Sequence, residues 1–311
     1  MFKQDFQTYF SKHRLYFMGI AMICVMLFHQ KFLEGRLFDF FHACGHWGVD
    51  LFLVVSGFGI AHSLMKNSRI EYYRHRVRRL LPSCLIFGCV SFGFALVSHG
   101  VEMPRRLLVM TPLSLNQWYI TAIVLFYSLA PFILPFVQKW KLKTLVVIIP
   151  VCFLAKAIDL SFLWPIDWAI ERFPAFVFGM ILYCSSKWNI GCRYVLISLS
   201  LVVLLSWFVA EDVRFFSSQT YRYLIFLFII PAFCYFCGCL ELLTDKLNIS
   251  VCVKWVGRLS LQIYLAHVFC FDLVLKHVVD TPPILQFLLA IGFSFLYAYV
   301  VYKFVNLIKY D

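Results

Sequence analysis

The sequence predicts an all-α, polytopic integral membrane protein, a bundle of about ten transmembrane helices with both termini on the cytoplasmic side. Three observations predict it. Of 311 residues 62% are hydrophobic and 14% charged, with a mean hydropathy of +0.82, too apolar to build the surface of a soluble domain. Apolar runs of about 17 to 25 residues recur along the chain, enough to cross about 30 Å of hydrocarbon as a helix, and the short alternating strands of a β-barrel are absent. Lys and Arg gather on one side of the resulting loops.

The first run follows a charged, aromatic-rich head, MFKQDFQTYFSKHR, and no small-residue cleavage site comes after it. It reads as a retained helix over 15–33 and not as a signal peptide. The second span, 46–65, contains GVDLFLVVSGFGI, and the third, 80–99, opens beside the basic stretch YYRHRVRRLLP. The fourth, 118–137, opens in NQWYI, a fifth covers 144–163, and the sixth, 168–184, contains ERFPAFVFG. Plain apolar runs follow at 194–210 and 221–240; the ninth span, 259–279, begins LSLQIYLAH and the tenth covers 283–305.

With the N-terminus inside, the inner segments hold about 19 Lys and Arg against about 7 outside, which sets both termini in the cytoplasm. The same asymmetry places the net charge of +12 beside anionic lipid and leaves a nucleic-acid partner without support. No repeat, low-complexity tract or soluble appendage is visible. The expected organisation is one membrane domain over 1–311: a cytoplasmic segment 1–14, a bundle 15–305 and a cytoplasmic tail 306–311. Among the twelve cysteines, CYFCGC (Cys234, Cys237, Cys239) lies in an apolar helix with no His or Asp nearby, so packing residues and no metal site are expected.

Asp50 stands in an apolar run, where an ionisable side chain costs at least a few kcal/mol and needs a partner, a wet cavity or a job. His29 lies about 6 Å below the outer end of the first span and Asp50 a similar depth into the second. Neighbouring antiparallel helices bring the two to one level, where a carboxylate orients an imidazole as a general base. Two alternatives stand beside this: a structural hydrogen-bonding role for either residue, and pairing of Asp50 with His46 at i, i+4, which leaves His29 in the core. Asp167 and Glu171 reach a comparable depth. On the inner side Arg76 and Arg79, three apart, share a helical face suited to phosphate oxygens, unless they are ordinary positive-inside anchors.

These stretches, GIAMICVMLFH ending at His29, GVDLFLVVSGF, an Arg-x-x-Arg followed by LLP, WYI, ERFPAFVFG and LSLQIYLAH, occur in the order of the acyltransferase 3 family, which the chain resembles over its first nine spans. That family's members are largely bacterial membrane-bound O-acyltransferases that move acyl groups, commonly acetyl, to hydroxyls of surface polysaccharides, lipopolysaccharide, peptidoglycan or small glycans. The resemblance implies residence in the bacterial cytoplasmic (inner) membrane, acyl-CoA (acetyl-CoA) as co-substrate with no tightly bound cofactor, and a glycan acceptor.

Residue by residue, the resemblance makes His29 the catalytic histidine, with Asp50 and Ser56 in the motif after it. It puts Arg76 and Arg79 on the acyl-CoA phosphates, and places Trp118, Glu171 and His267 in other recurrent motifs. The family's usual Arg or Lys eleven positions before the histidine is Met18 here; either Arg14, one turn earlier, supplies that charge or the donor is held differently. In the expected reaction His29 takes the acceptor hydroxyl's proton, and Ser56 or Tyr119 supplies donors to the oxyanion. A transporter or flippase using the same intramembrane charges is the alternative, although paired inverted repeats are missing; a structural subunit of an envelope complex is a third reading, and predicts no dependence on His29.

Overall fold

The computed structural model describes residues 6–35, 38–39, 42, 45–99, 117–157, 164–185 and 230–308. Within them the chain is helical: α1 (Phe6–His29), α2 (His46–Lys66), α3 (Arg69–His99), α4 (Trp118–Trp140), α5 (Lys143–Ala157), α6 (Trp164–Cys184), α7 (Ile230–Asp245), α8 (Ile249–Arg258), α9 (Ser260–His277) and α10 (Pro283–Ile308). Among the described residues five helices are long and apolar enough to cross a membrane, six if the bent pair α8–α9 counts as one span. This is a multi-pass membrane protein. The run expected at 194–210 lies outside the described residues.

Two helices begin well before their expected apolar spans. The head expected to precede the first span is the opening of α1, because Tyr9, Phe10, His13 and Phe17 recur at helical spacing on one buried face. His13 Nδ1 lies 2.6 Å from Glu241 of α7, whose other oxygen takes Lys254 of α8 at 2.7 Å. The α7–α8 turn is closed by Ser250 on Asp245, a bond that holds this carboxylate below its usual range. α3 opens at Arg69 under a capping box: Ser68 N donates to Glu71 at 2.9 Å and Glu71 N to the Ser68 hydroxyl at 3.3 Å. The arginines expected at its mouth therefore stand inside a regular helix, Arg76 and Arg79 on one side of it.

The expected ninth helix is α9, but α8 precedes it at 83°. The break follows Gly257, where α8 crosses α1 so closely that a Cβ would meet the Leu15 carbonyl.

α2 is the central helix, buried almost continuously from Gly48 to Ser63. It packs on α6 and α1, with α4 lying against α6 and also touching α2, α9 packed on α1 and α3, and α10 packed on α9 and α3. A helix buried on all sides needs no amphipathic stripe, hence the apolar reading of GVDLFLVVSGFGI. Its glycines let backbones touch: a Cβ on Gly57 would strike the Phe176 carbonyl and one on Gly179 the Val54 carbonyl, a reciprocal contact of small residues. Gly57→Leu is expected to lower the amount of folded protein recovered in membranes by tenfold or more, since overpacking against backbone cannot relax by a rotamer change. Size-exclusion profiles in mild detergent check this.

Candidate active site

Five helices converge on a cavity of about 60 Å³. α1 contributes Arg14 and Met18, α2 Phe52 and Ser56, α3 Arg76, Arg79 and Leu80, and α4 Tyr119 and Tyr127, with Ser260 and Tyr264 of α9 closing it. The volume suits a few waters. No carboxylate lines it among the described residues. Arg76 lies over the rings of Tyr72 and Tyr127 at 5.5 and 5.7 Å, and the buried Nε atoms of Arg14 and Arg76 have no hydrogen-bond partner. Three guanidiniums held together without a counter-charge make a site for a polyanion. Ser56 lies here too, its hydroxyl 2.9 Å from that of Tyr127. Arg14 packs beside Gly59 on α2 and shares the cavity lining with Met18, which stands where the resemblance expected a basic residue.

The other end of α1 carries the histidine. Arg14 and His29 are 15 residues apart on this helix, about 22 Å. The space between is aromatic: Tyr119 and Tyr264 ring centroids are 4.5 Å apart, and Tyr264 lies 5.5 Å from the His267 ring. His29 is half-buried, with Nδ1 3.0 Å from the Val25 carbonyl and 3.4 Å from Nε2 of His267. Carbonyls only accept, so His29 carries its proton on Nδ1 and its Nε2 is the basic nitrogen. Gln30, fully buried, roofs the pair by bonding Leu33 O and the backbone nitrogens of Phe32 and Leu33. Gln117 Nε2 donates to Leu265 O at 2.9 Å, tying the start of α4 to α9 at the same level.

Asp50 does not orient His29. Depth put the two side by side, but Asp50 receives Nη1 of Arg172 on α6 at 2.6 Å, and both side chains are nearly inaccessible. Near this position α2 touches α1 through Gly48, against the Ala21 carbonyl, while the Asp50 side chain turns to α6. Arg172 lies 5.2 Å from the Trp118 ring centroid, and Trp118 contacts Trp168 at 5.7 Å. Glu171 points instead to Lys156, which reaches Asp167 at 2.5 Å and Glu171 at 3.7 Å.

A family model described as an acyltransferase domain matches residues 16–303. The chain belongs to the acyltransferase 3 family. It is also similar to O-acetyltransferase OatA of Staphylococcus aureus, in strains NCTC 8325 / PS 47, COL and MRSA252, with 27% identity over 122 residues. That alignment covers 35% of this chain and 19% of the relative's length, so the chain spans about a fifth of the curated relatives it matches. No solved structure matches.

In this acyltransferase 3 protein the fold gathers Arg14, Ser56, Arg76, Arg79 and Tyr119 around one cavity and His29 with His267 beyond it. Asp50, Trp118 and Glu171 form a separate polar layer around Arg172 and Lys156. Three residues that matter to this geometry were not singled out by sequence. Arg172 carried a usable signal, since a second charge beside Glu171 inside an apolar run demands a partner. Tyr127 and Tyr264 carried none; tyrosines in apolar helices are read as packing.

Proposed function

We propose that this protein is a membrane-bound O-acyltransferase that moves an acyl group from a cytoplasmic acyl-CoA to a hydroxyl of an extracytoplasmic or lipid-linked glycan. Likeness to OatA favours acetyl. The observation that carries this reading is the three-guanidinium cavity without a carboxylate, about 22 Å along α1 from an imidazole with a free basic nitrogen. A donor whose phosphates sit at one point and whose reactive carbon sits at the other must have a polyanionic head and a long thin arm, as acyl-CoA has. The arm threads past Tyr119 and Tyr264, whose rings must part for it.

In this reading the protein lies in a bacterial cytoplasmic membrane with ten crossings and both termini inside, the arrangement that Lys and Arg asymmetry favours. Arg14, Arg76 and Arg79 hold the phosphates at the inner side, and the acceptor enters from the outer side. His29 Nε2 takes the hydroxyl proton as the oxygen attacks the thioester carbonyl; the C–S bond breaks and the thiolate leaves with the proton from His29. The developing oxyanion needs a hydrogen-bond donor, a part for which Tyr119 is the candidate once the arm has parted its ring from that of Tyr264. Trp118 and Glu171, on the outer polar layer, face the acceptor.

Arg76→Ala with Arg79→Ala is expected to raise the acyl-CoA concentration for half-maximal transfer by a hundredfold or more, since each charge-assisted bond contributes about 1.5 to 3 kcal/mol. Arg→Lys at both positions restores part of it, the fork being lost. Transfer of labelled acetyl from acetyl-CoA to glycan, per protein inserted, is the measurement. An unchanged donor requirement returns both arginines to topology anchors and removes the acyl-CoA reading.

A further inference from the structure

We propose that His267 is the positioning residue of His29, a neutral acceptor standing where a carboxylate was expected. This rests on the reading of His29 as general base. His267 is 1% exposed, and its Nδ1 is 2.8 Å from the Tyr264 carbonyl and 3.2 Å from that of Ile263. Its Nδ1 must therefore donate, and Nε2 is left with a lone pair that faces His29 Nδ1 at 3.4 Å. The rings meet edge to face, centroids 5.0 Å apart.

The protons of both rings are thus placed without conflict: His29 Nδ1–H is shared between the Val25 carbonyl and His267 Nε2, and His29 Nε2 is free to accept. When the acceptor hydroxyl loses its proton to Nε2, the Nδ1–H of the resulting imidazolium turns to His267 Nε2. That proton stays on His29 throughout, and the Nε2 proton leaves with the thiol. His267 orients the ring and supports the charged intermediate without itself gaining or losing a proton. Asp50 bonds Arg172, and the side-chain acceptor facing His29 Nδ1 is an imidazole and not a carboxylate.

The other charged groups near the pair are accounted for. Lys31 and Asp272 bond each other at 3.3 Å on the exposed surface, His42 contacts Gln30, and Asp50 pairs with Arg172. The remaining ring neighbours, Phe28 and Phe271, are apolar. What His29 senses at Nδ1 is therefore set by the Val25 carbonyl, which no side-chain change removes, and by residue 267.

The test is kcat, KM and the pH profile of acetyl transfer in membranes for His29→Ala, His267→Leu, His267→Gln and His267→Glu, each normalised to inserted protein. The Gln carbonyl oxygen reaches the place of Nε2 and can accept the same Nδ1–H. His267→Leu is expected to lower kcat by about tenfold or more with both KM values unchanged, and His267→Gln to recover most of that loss. His267→Glu places a carboxylate there, which favours the imidazolium and moves the acid limb of the profile to higher pH. Should Gln be no better than Leu, or the limb stay in place with Glu, the positioning role is overturned. Transfer by His29→Ala at the wild-type rate overturns the general base itself, a distinct result from indifference to residue 267 alone.

Discussion

His29→Ala is expected to abolish acyl transfer while the protein still accumulates in the membrane. His29 ends α1, half-buried, and makes no ion pair; its links to the fold are one bond to its own helix at Val25 and the long contact with His267. Removing the ring leaves α1 anchored by Phe10, Phe17 and the buried His13–Glu241 bond at its other end, so the stability cost is about 1 kcal/mol or less. The loss of the base is a different matter, because general-base catalysis supplies about a hundredfold to ten-thousandfold. His46→Ala, at the start of α2, is expected to keep most of the activity. Labelled product per inserted protein, for both variants beside wild type, decides between them. Near-normal transfer by His29→Ala would sink the catalytic reading and favour the transporter or structural alternatives.

The all-helical membrane class was legible because hydrophobic runs of spanning length are a one-dimensional signal. α2, α4 and α10 begin at the residues expected from apolar length alone. α3 could have been started correctly from Ser68 and Glu71, whose spacing is a capping signature; the apolar run masks it because the first two turns carry the arginines. α8 was hidden for the opposite reason. It is short and interrupted by Lys254, and its junction with α9 depends on Gly257 meeting Leu15, a contact across more than two hundred residues.

The candidate site divides in the same way. Arg76, Arg79 and His29 could be named from position and chemistry, since charge in an apolar chain is conspicuous, whereas Arg14 came only through the family resemblance. Their partners could not. Depth along a helix gave Asp50 the wrong neighbour, because level is one coordinate and facing is another. Arg172 lies 122 residues away and His267 lies 238 residues from His29. Each is fixed by which helix α2 or α1 turns toward, a property of packing that no local spacing encodes.

Asp50→Asn is expected to act on stability, where the sequence alone pointed to rate. The Asp50–Arg172 bond at 2.6 Å is buried between α2 and α6, the helices that also interlock at Gly57 and Gly179. Removing one member of a buried pair leaves an uncompensated charge and costs about 3 to 5 kcal/mol, whereas replacing both by apolar groups of similar size is often neutral. Asp50→Asn and Arg172→Met alone should therefore each lower the detergent melting temperature sharply and reduce membrane abundance, and Asp50→Leu with Arg172→Met should recover much of both. The surviving Asp50→Asn protein, counted per inserted molecule, should keep a rate within a few-fold of wild type, because its carboxylate makes no bond to His29. Arg172→Met carries a further loss, the stacking of the guanidinium on Trp118, worth about 0.5 to 2 kcal/mol. If Asp50→Asn were instead stable and inactive, Asp50 would act in the chemistry through contacts other than its bond to Arg172, and the two layers of polar residues would have to be read as one site.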